Sequence, residues 1–195
     1  MRVLPAILLS ALALPALAAD YAVLPQRSQV AFTSKQMGVP VEGQFGKFAA
    51  AIAFDPAKAD ASRVTIDIDL ASIDAGSAEA NEEVVGKNWF DAKNYPTAHF
   101  ASSAVKAQGD GRFEVRGPLT MRGRTQEVAA PVTYRQDGAN AVFEGAFTLK
   151  RLDFGIGTGA WGDTDTVANE VRIKFRLVAA PAAGSASAAT PAGKK

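Results

Sequence analysis

From Val64 to Leu70 the even residues Val64, Ile66, Ile68 and Leu70 are apolar, while Thr65, Asp67 and Asp69 between them are polar. A period of two sends alternate side chains to opposite faces of a strand, so this stretch has one buried face and one wet face. The pattern recurs along the chain. Val30 and Phe32 share a face, followed by Val41, Gly43 and Phe45; later come Ala98, Phe100 and Ser102, then Phe113, Val115, Gly117, Leu119 and Met121. Val128 to Tyr134, Phe143 to Leu149 and Val171 to Leu177 alternate in the same way. After Gly46-Lys47 the apolar set changes parity to Phe48, Ile52 and Phe54, which predicts a bulge at Gly46. Gly109-Asp110-Gly111 and Asp137-Gly138 supply the residues that tight hairpins require.

One segment breaks the pattern. Between Asp74 and Pro96 there is no alternation, Ser77 is suited to cap a helix, and Glu79, Glu82 and Glu83 complement its positive end. This predicts a short helix at about Ala78 to Val85. If it continued through Gly86, it would turn Val85 and Trp89 toward the sheet. About eight strands in one domain must hide their edges, and a closed barrel does so completely. The expected fold is therefore all-β, an eight-stranded antiparallel barrel with a short helix inserted mid-chain; a two-sheet sandwich is the rival. The interior of such a barrel is either just filled by side chains or holds one small ligand.

The two ends read differently. Met1-Arg2, an apolar run from Val3 to Leu17 and the small residues Ala16 to Ala19 have the layout of a signal peptide cleaved after Ala18 or Ala19. The expectation is a periplasmic protein with a leader at 1–19, a barrel domain at 20–178 and a disordered tail at 179–195 rich in Ala, Gly, Ser and Pro. Lys and Arg number 21 against 20 Asp and Glu, and Arg2 lies in the leader, so bulk charge offers nothing to nucleic acid. The chain has no Cys, which removes disulfides, thiol catalysis and Cys-based zinc sites from consideration.

Groups that perform chemistry are scarce. The single imidazole, His99, is out of phase with Ala98 and Phe100 and reads as a polar-face or rim residue. No G-x-S-x-G elbow is present, and Gly155 to Gly157 is not followed by a phosphate-binding helix. Asp163 and Asp165 lack the Gly and distal Glu of a calcium loop and read as a turn. An enzyme is not expected, nor is a metal or cofactor.

The order and spacing of SQVAFTSKQMGVPVEGQFGKFAAAIAFDP, KNWFDAKNYPTAHF, VRGPLTMRGRTQEVAAPV and RLDFGIGTGAWGDTDTVANEVRIKFRL resemble the YceI-like family of periplasmic polyisoprenoid-binding proteins. Gln36 stands where many relatives carry a His. The resemblance implies a lipocalin-like barrel whose apolar interior holds a quinone, polyprenyl lipid or fatty-acyl compound as its ligand, without acting on it. The candidate lining is aromatic at Phe32, Phe45, Phe48, Phe54, Phe100, Phe143 and Phe147, with Trp89, Phe90 and Trp161 near the ends. Ile66, Ile68, Leu119 and Met121 complete it. These same residues would also serve as ordinary core, and a structural or stress-response barrel with a self-filled interior stays open as the alternative. Arg122, Arg124, Lys150 and Arg151 are basic candidates for a ligand head group. Some relatives are associated with membrane quinone-using cytochromes; the oligomeric state, a dimer included, is open.

Overall fold

The computed structural model describes residues 19–182, so nearly all of the leader expected at 1–19 and most of the tail expected at 179–195 lie outside the described residues. The strands in order are β1 (Ala19–Val23), β2 (Gln29–Gln36), β3 (Val39–Phe45), β4 (Phe48–Phe54), β5 (Arg63–Asp69) and β6 (Ile73–Asp74). Helix α1 (Ala78–Val85) follows, then β7 (Thr97–Ala101), β8 (Ala104–Gly109), β9 (Arg112–Met121), β10 (Arg124–Asp137), β11 (Asn140–Lys150) and β12 (Glu170–Pro181).

Eight strands close a ring in the order β1, β4, β5, β7, β9, β10, β11, β12 and back to β1, every pairing antiparallel. Closure excludes the sandwich, because two stacked sheets would leave free edges that this ring does not have. The remaining four strands extend the wall. The long β12 pairs with β11 along one edge and divides the other between two partners: Ala179–Pro181 pair with β1, whereas Arg172–Arg176 pair with β2, and the β2–β3 hairpin continues to β6. Strand β9 divides similarly between β8 and β7.

The inward parity follows the sequence alternation, but three local expectations are corrected. Gly46 does not form a bulge within one strand. The parity change marks a change of strand: β3 pairs with β2 and β6, β4 pairs with β1 and β5, and the Gly46 N–H donates to the Ser72 carbonyl oxygen at 2.9 Å. Helix α1 spans the expected Ala78 to Val85, with Ser77 Oγ accepting from the Ala80 N–H at 3.1 Å, but the considered extension through Gly86 does not form, because Gly86 is extended at ψ 172°. Trp89 is then carried by a series of turns, with its backbone N–H donating to the Gly86 carbonyl. Finally, β12 runs past the expected boundary at Val178 as far as Pro181, and Ala179 is fully buried in it.

Aromatic rings close one end of the barrel. Phe54 packs edge-on against Phe113 at 5.0 Å and Phe143 at 5.2 Å, with Tyr134 at 4.9 Å and Tyr21 beyond Phe143 at 6.1 Å. Tilted and edge-to-face contacts at these spacings are the favoured arrangement for aromatic pairs. They form a solid floor.

Candidate ligand cavity

Above this floor the barrel is hollow. A cavity of about 620 Å³ runs up the interior, within the range of pockets that enclose small molecules. It is bordered along β9 from Phe113 to Met121, eight residue steps or roughly 27 Å of strand. Phe32, Phe45, Phe90, Phe100 and Phe147 border it from the sides while keeping part of each ring accessible, whereas the floor residues Phe54 and Phe143 are buried. Ile66, Ile68, Leu119 and Met121 complete the wall, and Trp89 and Trp161 stand together with ring centroids 5.6 Å apart. Of the residues nominated from sequence as apolar lining, Phe48 alone does not border the hollow. It shares the inward parity of β4, but at the first position of that strand, opposite Ile68, it packs into the core cluster.

Cross-strand register keeps the interior open. Phe32 lies opposite Gly43 and Phe175 opposite Gly145. A Cβ at Gly43 would stand 2.3 Å from Cζ of Phe32, and one at Gly145 would stand 2.5 Å from Cζ of Phe175. Both rings therefore lie flat over a strand that has no side chain at that point, instead of projecting across the lumen.

Among the described residues, polar side chains border the cavity only at Ser34, Lys35, Gln36, Glu79, Glu83 and Arg151. Glu79 and Glu83 come from α1, and Ser34 to Gln36 from the end of β2, so helix and hairpin frame this region together. The Glu79 carboxyl is held below its ordinary pKa by its own backbone N–H and by the Ser77 hydroxyl. Glu83 Oε1 accepts from Trp161 Nε1 at 2.7 Å. The hairpin is tied to the 159–168 loop: the Met37 N–H donates to the Thr166 carbonyl at 2.8 Å, and the Ala168 N–H to the Lys35 carbonyl at 2.9 Å.

Arg151 is not the free head-group partner that its sequence position invites. It is 2 % exposed, and its five N–H donors go to the backbone carbonyls of Ala168, Ile156, Gly157, Trp161 and Val167 at 2.6–3.1 Å. Burial pushes its pKa downward, yet a guanidinium keeps its proton in a protein. It braces the loop and lies over the Trp89 ring at 5.7 Å. Arg122 donates to the Lys87 carbonyl at 2.7 Å, and neither it nor Arg124 or Lys150 borders the hollow. His99 is on the outer face, its Nδ1 2.7 Å from Asp67 Oδ1, so the one imidazole is outside the cavity. Asp163 accepts from the Asp165 N–H and the Thr166 hydroxyl, forming a turn. The two rim carboxylates and the unshared Trp89 N–H were not singled out from sequence as site groups; their only signal was the helix-capping pattern around Ser77 and the break at Gly86.

Known proteins share this architecture. Residues 21–179 match the model of the YceI-like domain. A UPF0312 protein of Vibrio cholerae serotype O1 is 33% identical over 148 residues, covering 71% of this chain and 78% of its own, and a UPF0312 protein of Pseudomonas savastanoi pv. phaseolicola is 33% identical over 151. Among solved structures, Burkholderia cenocepacia BcnA superposes with a TM-score of 0.78 at 49% identity, covering 80% of this chain and 98% of that one. A polyisoprenoid binding domain from Saccharophagus degradans shares the fold with a TM-score of 0.68 at 16% identity, over 84% of this chain and 99% of that one. With the match spanning nearly every described residue and the same ring of strands found in its relatives, the chain belongs to the YceI-like domain family.

Proposed function

We propose that this protein binds one long-chain isoprenoid or related amphiphilic lipid in its barrel and carries it through the periplasm without altering it. The observation that carries this reading is the continuous apolar hollow of about 620 Å³, closed below by aromatic rings and polar only at a few positions. Such a wall favours hydrocarbon on transfer grounds. Each buried CH₂ contributes about 0.8 kcal/mol, so ten methylene equivalents give roughly 8 kcal/mol before the cost of association is subtracted. The Saccharophagus relative, a polyisoprenoid binding domain, supports the same ligand class.

The hollow argues against a barrel filled by its own side chains, since a self-filled interior would leave no room of this size. Catalysis has no support in the geometry of the cavity: His99 is outside the wall and the Arg151 donors are all engaged. The leader at the start of the chain is the basis for the periplasmic assignment, and a quinone-using membrane cytochrome is the proposed partner class. Native mass spectrometry of protein purified from its own periplasm is expected to show a stoichiometric long-chain species. An empty protein with no affinity for prenyl quinones or fatty-acyl amphiphiles would overturn the reading.

A further inference from the structure

Two aliphatic side chains stand out on the surface. Met37 is 74 % exposed and Val39 63 %, and among the described residues only Tyr95 joins them as an exposed large hydrophobic residue. Both are at the tip of the β2–β3 hairpin, where Gln36 pairs with Val39 and the two turn residues Met37 and Gly38 have φ 48° and 80°. A turn with two positive φ values favours Asn or Asp followed by Gly, and a bulky side chain is strained there. The other non-glycine residues at positive φ are Asp91 and Asp110, whose short polar side chains suit it, and Arg122, whose guanidinium donates to the Lys87 carbonyl. Neither turn chemistry nor core packing therefore accounts for a methionine at position 37.

The tip is beside the cavity. Ser34, Lys35 and Gln36 border the hollow from β2 and Val41 from β3, and Val39 continues the inward parity of Phe45, Gly43 and Val41 past the rim. The lining of β3 thus runs out to solvent without a polar side chain. The tip is also held in place, because Gln36 bridges to Val167 and the Met37 N–H is bonded to the Thr166 carbonyl.

We infer that this tip is the surface by which the protein docks on a lipid bilayer, with Met37 and Val39 entering the acyl boundary so that the lining of β3 meets the membrane from which cargo is drawn. This rests on the lipid-binding reading and names where loading occurs. Size and charge favour a bilayer over a protein partner. Two aliphatic side chains fall far short of the ~800 Å² per partner that a stable protein interface buries, whereas shallow, reversible insertion needs only a small apolar area. The exposed charges on the hairpin and on the loop bonded to it are mixed, Lys35 against Glu42, Asp163 and Asp165, so the attraction is apolar and not electrostatic.

The test is co-sedimentation with neutral phosphatidylcholine vesicles, comparing the unmodified chain with Met37→Asn. Asparagine suits the turn, so Tm should rise by about 2 °C. Loss of the inserted methionine should nevertheless weaken vesicle binding about tenfold. Raising the salt should change binding of the unmodified chain little. A fluorescent fatty-chain probe supplied from ethanol should bind both proteins equally, while its transfer from vesicles should be slower to Met37→Asn. Absence of vesicle binding by the unmodified chain, binding unchanged in Met37→Asn, binding abolished by salt, or self-association that Met37→Asn removes would each overturn the docking assignment. Failure of the ethanol-supplied probe to bind the unmodified chain would instead overturn lipid binding itself, which separates the two outcomes.

Discussion

Truncating two phenylalanines on one strand should have opposite consequences. Phe143 and Phe147 both point inward from β11 and both border the hollow, but Phe143 is 6 % exposed and wedged among Phe54, Tyr134 and Tyr21 in its floor, whereas Phe147 stands in the side wall with part of its ring accessible. Phe143→Ala opens a void inside close packing, which costs about 3–5 kcal/mol. At about 2–4 °C per kcal/mol for a domain of this size, Tm should drop by roughly 10 °C. Phe147→Ala merges its void with an existing one and forfeits packing on one side of the ring, so the delipidated protein should lose only about 1–2 kcal/mol. The bound tail loses the other side. About 55 Å² of apolar contact at 25 cal/mol per Å² is about 1.4 kcal/mol, or tenfold in affinity. Thermal melts of delipidated protein and displacement of a fluorescent fatty-chain probe measure the two quantities. If Phe147→Ala proved as destabilising as Phe143→Ala and left probe affinity unchanged, the wall-and-floor distinction would be wrong and the interior would be packed throughout.

Three further outcomes are expected. Arg151→Met strips five carbonyls of their donor, three of them in buried hydrogen bonds, and with each buried unsatisfied group costing about 1–3 kcal/mol the loss should exceed about 3 kcal/mol in chemical denaturation; Arg151→Lys should not restore it, since one ammonium has three donors. Gly145→Ala should push the Phe175 ring off its strand and press on the Pro131 carbonyl, costing about 1–3 kcal/mol and weakening probe binding as the lumen narrows. The Asp163 carboxyl is held below its ordinary pKa, first by the Asp165 N–H and then by the Thr166 hydroxyl. A lowered folded pKa means that its contribution to the 159–168 loop is complete above the unfolded value of about 3.9 and is lost as pH falls through the lower folded one. Hydrogen exchange in that loop should accelerate over this acid window in the parent chain, and Asp163→Ala should remove the pH dependence.

Much of the barrel was legible because alternation is a local signal. Val64 to Leu70 and Val171 to Leu177 declare which face is buried whatever they pair with, and Ser77 marks the start of α1 through its own side chain. Pairing is not local. The parity change after Phe45 looks the same whether the chain bulges within one strand or leaves it, and only the partners of β3 and β4 distinguish the two. The short strands β1 and β6 were missed because each is held by a neighbour distant in sequence, and β8, although it forms a hairpin with β9, because it carries little periodicity of its own. Arg151 read as a solvated strand end because a charged residue normally is one; its burial depends on five carbonyls delivered by a loop up to seventeen residues later.

The amino-acid order alone therefore determined the strand faces, the helix site and the need for edges to be closed, all of which follow from side-chain period and backbone chemistry. Whether the enclosed space is filled or empty was decided only by the closed sheet. Identical alternation is compatible with rings that cross the lumen or rings that lie along the wall, and the choice depends on Phe32 meeting Gly43 and Phe175 meeting Gly145 across the ladder.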